Sequence, residues 1–254
     1  MEFDPALALR IQHNERLRTV QGWGDYHDIG GALVVTSDAP IPGLNCVGDF
    51  TADERRAEYL LDVGFALLRA FDRDPAVELT PLDRPLSLGE RVARRGLRHD
   101  GGRCVMVCRR RDATAKERPG IDVWPISPDD ARTFADIHSG GARWTRQISL
   151  KSTIGAMLDE ANTFYLAYVD GQPAGTLHLL CDEATAGIYA VATAKQFRRR
   201  GVATALISRA IADASSNGCE VIALSTEVRN DARHLYVSLG FEPLYETQMW
   251  TQRG

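Results

Sequence analysis

The 254-residue chain contains no apolar run of 18 residues, so no stretch is long enough to span a bilayer as a hydrophobic helix. Its five cysteines, Cys46, Cys104, Cys108, Cys181 and Cys219, are odd in number and scattered among mostly apolar neighbours. That argues against a disulfide framework and for reduced core thiols. Cys104 and Cys108 would share one strand face, but no histidine or cysteine cluster completes a zinc site, and no metal is expected. The net charge of -4 gives no basic excess for nucleic acid. No G-x-G-x-x-G follows a strand and no G-x-x-x-x-G-K-[ST] occurs, which removes the dinucleotide and P-loop fingerprints. The acidic, polar start Met-Glu-Phe-Asp-Pro is unlike a signal peptide, so a cytoplasmic location is expected, with neither nucleic acid nor membrane as partner.

What the chain does contain is ordinary globular material, 44% hydrophobic, in an amount that suits two modest domains. The segment from Arg109 to Gly120 is charged, lacks apolar periodicity and ends in Pro-Gly, and reads as a linker. It divides the chain into residues 1–115 and 116–254. In the first part, Thr51-Ala52-Asp53-Glu54 reads as a capping box before a very apolar helix, Ala32 to Thr36 and Val77 to Thr80 as strands, and Leu88 to Arg95 as a helix stopped by Gly96. In the second part, Ile121 to Ile126 reads as a strand. Ser127-Pro128-Asp129-Asp130 starts a helix to about His138, and a further helix is expected from Ser149 to Glu160. Strands follow at Thr163 to Val169, Ala174 to Leu180 and Ala186 to Val191.

The segment Ile188 to Thr204 is a strand that breaks into a basic, glycine-containing turn and then opens a helix. A helix whose first amides lack partners, preceded by a loop with free N–H groups, makes an anion site to which the helix dipole adds. Gly201 allows close backbone approach, Val202, Ala203 and Thr204 start the helix, and Arg198, Arg199 and Arg200 offer guanidinium forks to phosphate oxygens. Downstream, Val221 to Thr226 reads as a buried strand. Asn230 is placed to cap the next helix, Tyr236 lies nearly two turns along it, and Gly240-Phe241 ends it.

Arg198-x-x-Gly201-x-Ala203 resembles the acetyl-CoA-binding signature, Gln/Arg-x-x-Gly-x-Gly/Ala, of the GNAT superfamily of N-acetyltransferases. The strand, the Asn230-x-Ala232-x-x-x-Tyr236 helix and the Leu239-Gly240-Phe241 turn resemble the second half of that family's pattern. Over roughly the last 130 residues the resemblance implies a mixed α/β sheet of the GNAT type, β-α-α-β-β-β-α-β-α-β-β. It implies acetyl-CoA as cosubstrate, held by Ala190, Val191 and Thr193 of the strand, by Arg198, Arg199, Arg200, Gly201, Val202, Ala203 and Thr204 of the turn and helix, and by Asn230. Tyr236 is implied as the acid that protonates the CoA thiolate, a role suited to a phenol because its ordinary pKa lies above that of a thiol. For the general base the sequence offers Glu183, Glu227 or a water chain.

Residues 93–98 line up with 237–242 at a constant offset of 144, which suggests that the N-terminal α/β lobe is a degenerate copy. The same offset maps Gly201 onto Ala57 and Tyr236 onto Val92, so this copy would bind no acetyl-CoA. It would wall the acceptor site or form a subunit contact, as in a homodimer. Arg143-Trp144-Thr145-Arg146 is a candidate carboxylate grip on the acceptor side, and Trp23, Tyr26, His27 and Asn45 are a second cluster that could face it. The expected activity is acetylation of a primary amine on a small molecule. A protein or peptide acetyltransferase and a non-catalytic acetyl-CoA sensor are the alternatives.

Overall fold

The structure is a computed structural model and describes residues 3–109, 113, 116, 118–140 and 143–252, without the side chains of 143 and 144. Of the expected linker, positions 110–112, 114, 115 and 117 contain undescribed residues except as stated, and Gly141 and Ala142 likewise lie outside the described set. The chain begins with a helix, α1 (Pro5–Gly22), whose N-cap Asp4 accepts from the amides of Ala6 and Leu7 and whose first residue is proline. Then come β1 (Gly24–Asp28), β2 (Leu33–Ser37), β3 (Cys46–Gly48), α2 (Glu54–Ala70), β4 (Ala76–Leu79), α3 (Leu88–Arg94), β5 (Arg98–His99) and β6 (Arg103–Arg109). The second half runs β7 (Ile121–Pro125), α4 (Ala131–His138), α5 (Arg143–Ala156), β8 (Asn162–Val169), β9 (Gln172–Asp182) and β10 (Thr185–Thr193). It continues through α6 (Val202–Ser216), β11 (Val221–Glu227), α7 (Ala232–Ser238), β12 (Glu242–Glu246) and β13 (Gln248–Thr251).

Two mixed sheets result, ordered β1-β2-β3-β4-β13-β5 and β7-β8-β9-β10-β11-β6-β12. They follow one plan. A run of antiparallel strands, three in the first sheet and four in the second, leads to a single parallel pair, β3 with β4 and β10 with β11, and each sheet closes with two antiparallel strands. The inner of these closing strands is exchanged: β6 from the first half lies between β11 and β12, and β13 from the end of the chain lies between β4 and β5. Sheet membership therefore crosses the 115/116 division in both directions. Where the exchanged strands approach each other, the Arg103 amide donates to Thr247 Oγ1 at 3.0 Å, between positions 144 residues apart.

The repeat inferred from sequence is visible in the elements, since α3 and α7 keep the shift of 144. Val92, wholly buried, thus stands where the second lobe has Tyr236. The shift is larger at the preceding helix. α2 starts after Asp53 and α6 after Gly201, so the counterpart of Gly201 is Asp53 rather than Ala57. The cap of α2 is also Asp53, whose carboxylate accepts from the Arg56 amide at 2.8 Å, rather than the expected Thr51. Helix α5 begins before Ser149, and α1, unforeseen from the sequence, carries Gln12, Asn14 and Thr19 on its buried side beside Leu7, Ala8 and Ile11.

Each face of the second sheet has its own cover. Ile188, Ile222 and Leu224 point into the main core with α6 and α7. Val221, Ala223, Val105 and Val107 point the other way, into a cluster with Leu7, Ala8 and Ile11 of α1. Strand alternation makes this division, and it puts helix α1 of the first lobe across the back of the second lobe's sheet.

Candidate functional site

The second sheet opens where its parallel pair ends. β10 and β11 pair from Thr185↔Val221 to Ile188↔Leu224, after which β11 continues to Glu227 bonded to β6 alone. On its other edge β10 carries a bulge between Tyr189 and Ala192. Ala190 there has φ 51°, and its carbonyl accepts from Thr176 Oγ1 at 2.9 Å. An extra residue in one strand bends it and raises its twist. The edge of residues 189–193 that faces β11 is thus left without a strand partner.

Beyond β10, a single 3₁₀ turn (Lys195–Phe197) anchors the loop by burying Phe197, and Arg199 and Gly201 take positive φ, 62° and 90°. Among the described residues, nothing accepts from the amides of Val202, Ala203 or Thr204, and no side chain caps α6. These N–H groups open on a cleft of roughly 480 Å³ lined by Arg118, Thr193, residues 198–204 and Leu235. A Cβ on Gly201 would lie 3.2 Å from Arg118 Cδ, at a backbone angle that disfavours any side chain.

The three arginines are used differently. Arg198 donates to the Thr193 carbonyl at 3.4 Å, Arg200 reaches Asp170 at 3.4 Å and stacks on Phe197, and Arg199 carries the left-handed turn. Arg118, part of the segment read as a linker, was not expected at this cleft. Its neighbour Lys116 is held on α6 by a bond from its amide to Ser208 Oγ, 2.9 Å. A basic residue in a charged stretch carries no sequence signal for that placement.

Tyr236 sits on α7 directly after Leu235, which lines the cleft, and packs edge-on against Phe241 at 6.3 Å. It is 8% exposed, and burial pushes its phenol above the ordinary tyrosine value. Among the described residues its hydroxyl has no hydrogen-bond partner, yet it is not sealed from solvent. Asn230 is exposed and accepts the Ala232 amide at 2.9 Å from one residue ahead of the N-cap, which is Asp231 rather than the expected Asn230. The structure therefore brings Thr193, residues 198–204 and Leu235 into one cleft, with Ala190 and Val191 on the bulge before Thr193 and Tyr236 next to Leu235 in the core behind it.

The equivalent region of the first lobe is closed by its own charges. Where α6 leaves its amides free, α2 begins with Asp53 and Glu54. At the position of Leu235 stands Arg91, which pairs with Glu54 and Glu58 and donates to Ser87 Oγ at 3.0 Å. The start of α2 thus carries carboxylates, where the start of α6 carries none.

The other expected residues separate into several groups. Arg146 pairs with Asp136, while the side chains of Arg143 and Trp144 lie outside the described residues. Trp23 and Tyr26 lie beside α1, Trp23 under the Arg18 guanidinium and Tyr26 on a polar cavity. His27 bonds Thr36 at 2.8 Å, and Asn45 satisfies the turn at Ser37, Ala39 and Ile41, so both serve local packing. Glu183 occupies the exposed β9–β10 turn, at the end of β10 remote from the bulge, and Glu227 is exposed at the end of β11. All five cysteines are free thiols. Among the described residues no cluster of His, Cys, Asp or Glu could hold a metal, and no helix is long and apolar enough to cross a membrane.

Residues 124–241 match the family model described as "Acetyltransferase (GNAT) family". Among solved structures, a GCN5-related N-acetyltransferase from Kribbella flavida superposes with a TM-score of 0.77 at 18% identity, covering 96% of this chain and 95% of that one. One from Sphaerobacter thermophilus gives 0.66 at 19% identity, covering 90% and 83%. A tandem GNAT protein from the clavulanic acid biosynthesis pathway gives 0.63 at 14% identity, covering 89% and 80%. At these identities the likeness is one of fold. No curated protein matches the chain. Residues 124–241 thus match the acetyltransferase (GNAT) family, whose members use acetyl-CoA.

Proposed function

We propose that this protein is an N-acetyltransferase that moves the acetyl group of acetyl-CoA directly to a primary amine of a small molecule, using the second lobe only. The observation that carries this reading is the conjunction of three features. They are the separation of β10 from β11 after Ile188, the free amides of residues 202–204 beside it, and the unpartnered phenol of Tyr236. The cleft fits the diphosphate of CoA: unpaired helix amides and the dipole meet the anion, while Arg118 and Arg198 lie on its walls. The free edge of residues 189–193 is placed to hold the pantetheine amides and to polarise the thioester carbonyl.

The amine nitrogen attacks that carbonyl, the carbon–sulfur bond breaks, and the sulfur takes the Tyr236 proton as it leaves. Burial raises the phenol above its ordinary value, so at neutral pH it carries the proton that the departing sulfur takes. The nitrogen's proton passes through water to the Tyr236 phenolate, which restores the phenol. Helix α1 across the rear face of the sheet favours a small acceptor, because a polypeptide needs an open groove there.

A thiol-release assay with acetyl-CoA over a panel of amines and peptides tests this reading. Turnover with free small amines is expected, and Tyr236→Phe should lower kcat by about 10²- to 10⁴-fold, the usual weight of a general acid, with acetyl-CoA binding unchanged. Full activity of the variant would refute the acid role. Tight acetyl-CoA binding with no acceptor of any kind would favour a sensor.

A further inference from the structure

Between α1 and the two sheets lies a small polar cavity of roughly 80 Å³. It lies on the α1 side of the second sheet, and two of its wall residues reach the strands that part there. On the β11 side, Arg103 on its wall donates to Ser225 Oγ at 3.1 Å, one residue beyond the last β10–β11 pair. On the β10 side, Arg18 on its wall lies 4.7 Å over the ring of Tyr189, the residue at which the bulge begins. The cleft proposed for acetyl-CoA opens at the start of α6, on the α6–α7 side of the sheet, whereas these arginines lie on its α1 side.

The charges on the cavity wall are unequally matched. Arg16 donates to Asp49 at 2.8 Å, and Arg103 takes both Glu15 at 2.9 Å and Glu78 at 3.0 Å. Arg18 makes no ion pair and no hydrogen bond among the described residues, and its Nε is shielded from solvent without an acceptor. A shielded donor with no acceptor is costly and uncommon in a folded protein. The guanidinium is instead held by two aromatic faces, Tyr189 and, at 5.3 Å, Trp23. Tyr189 is itself fixed by its hydroxyl bond to Asn14 Oδ1, 2.7 Å. The cation is thus oriented by ring stacking, with its hydrogen-bonding edge unused. A planar fork of this kind matches a carboxylate in two parallel bonds.

Resting on the acetyltransferase reading, we infer that the acceptor amine carries a carboxylate and that Arg18, supplied by the first lobe, holds it. The degenerate lobe then contributes the acceptor site while the second lobe supplies the chemistry.

The test measures kcat/KM for L-amino acids against their carboxamides, together with simple alkylamines, in the wild type, Arg18→Gln and Arg18→Lys. The wild type should prefer the acid over its amide by about ten- to hundredfold, the weight of hydrogen bonds to a charged group. Arg18→Gln should bring that ratio close to one while its acetyl-CoA Kd and Tm stay near wild type. Arg18→Lys should keep part of the preference. Amides or alkylamines turned over as well as acids, or a preference untouched by Arg18→Gln, would overturn this inference alone. Turnover of no amine despite acetyl-CoA binding would overturn the acetyltransferase reading and this inference with it.

Discussion

Gly187 of β10 faces α1, and the closeness of that approach makes Gly187→Ala a quantitative probe of the interface between the lobes. A Cβ at this position would stand 2.2 Å from Asn14 Oδ1 and 2.4 Å from the Tyr189 hydroxyl, so both must move by about an ångström. Asn14 is 1% exposed and Tyr189 8%, and their bond of 2.7 Å would break with both groups still buried. Overpacking of this kind costs about 1–3 kcal/mol, and a buried polar group left without its partner about 1–3 kcal/mol. The sum, about 2–6 kcal/mol, is a large part of the roughly 5–15 kcal/mol that holds a domain folded. At about 2–4 °C per kcal/mol it should lower Tm by at least roughly 4 °C. Calorimetry or urea unfolding measures this directly. In the fraction that folds, displacement of α1 carries Arg18 with it, so acceptor KM should rise while acetyl-CoA Kd stays unchanged. A Tm within 1 °C or so of wild type, about the scatter of a surface substitution, would show that α1 does not lie against β10 at this distance.

Two further perturbations separate the parts of the molecule. Gly201→Ala places a side chain at φ 90° against Arg118, and should cost about 1–2 kcal/mol of stability and weaken acetyl-CoA binding at least tenfold in a titration. Unchanged binding would remove the turn from the site. Burial, and secondarily the Arg18 charge, lowers the His138 imidazole to about 4. With the folded value below the unfolded one, the native state binds fewer protons between about pH 6.5 and 4. This contribution to stability, about 3 kcal/mol, is present above that window and is lost as pH falls through it. NMR titration should find His138 near 4, moving upward in Arg18→Gln, and a titration near 6.5 in the wild type would contradict the packing.

The second lobe was largely legible in the sequence because its chemistry is local. A turn and a helix start declare themselves in consecutive residues, and Arg198 and Gly201 stand in the structure where such signals place them, while the cap of α7 falls on Asp231, one residue after Asn230. Helix α1 was not legible for a physical reason. Its buried side faces a polar cavity and carries Gln12, Asn14 and Thr19, so the apolar period by which a helix is recognised is interrupted by the function of that face. Strand exchange escaped as well, since β6 and β13 have the same apolar alternation whichever sheet receives them. The fixed offset of 144 found the helices α3 and α7 but misplaced the glycine's counterpart, because the chain between the repeats' helices differs in length. Arg118 on the cleft and Arg18 on the cavity beside α1 are candidates that only the tertiary arrangement brings to those places.

The central claim is that one lobe binds acetyl-CoA and the other is closed by its own carboxylates and Arg91. Calorimetric titration of acetyl-CoA into the wild type, Gly201→Ala and Asp53→Ala tests it most directly. One site per chain is predicted, weakened by Gly201→Ala and untouched by Asp53→Ala, which should cost only the roughly 1 kcal/mol of a helix cap. Two sites per chain, or a single site lost with Asp53 and kept with Gly201→Ala, would contradict it.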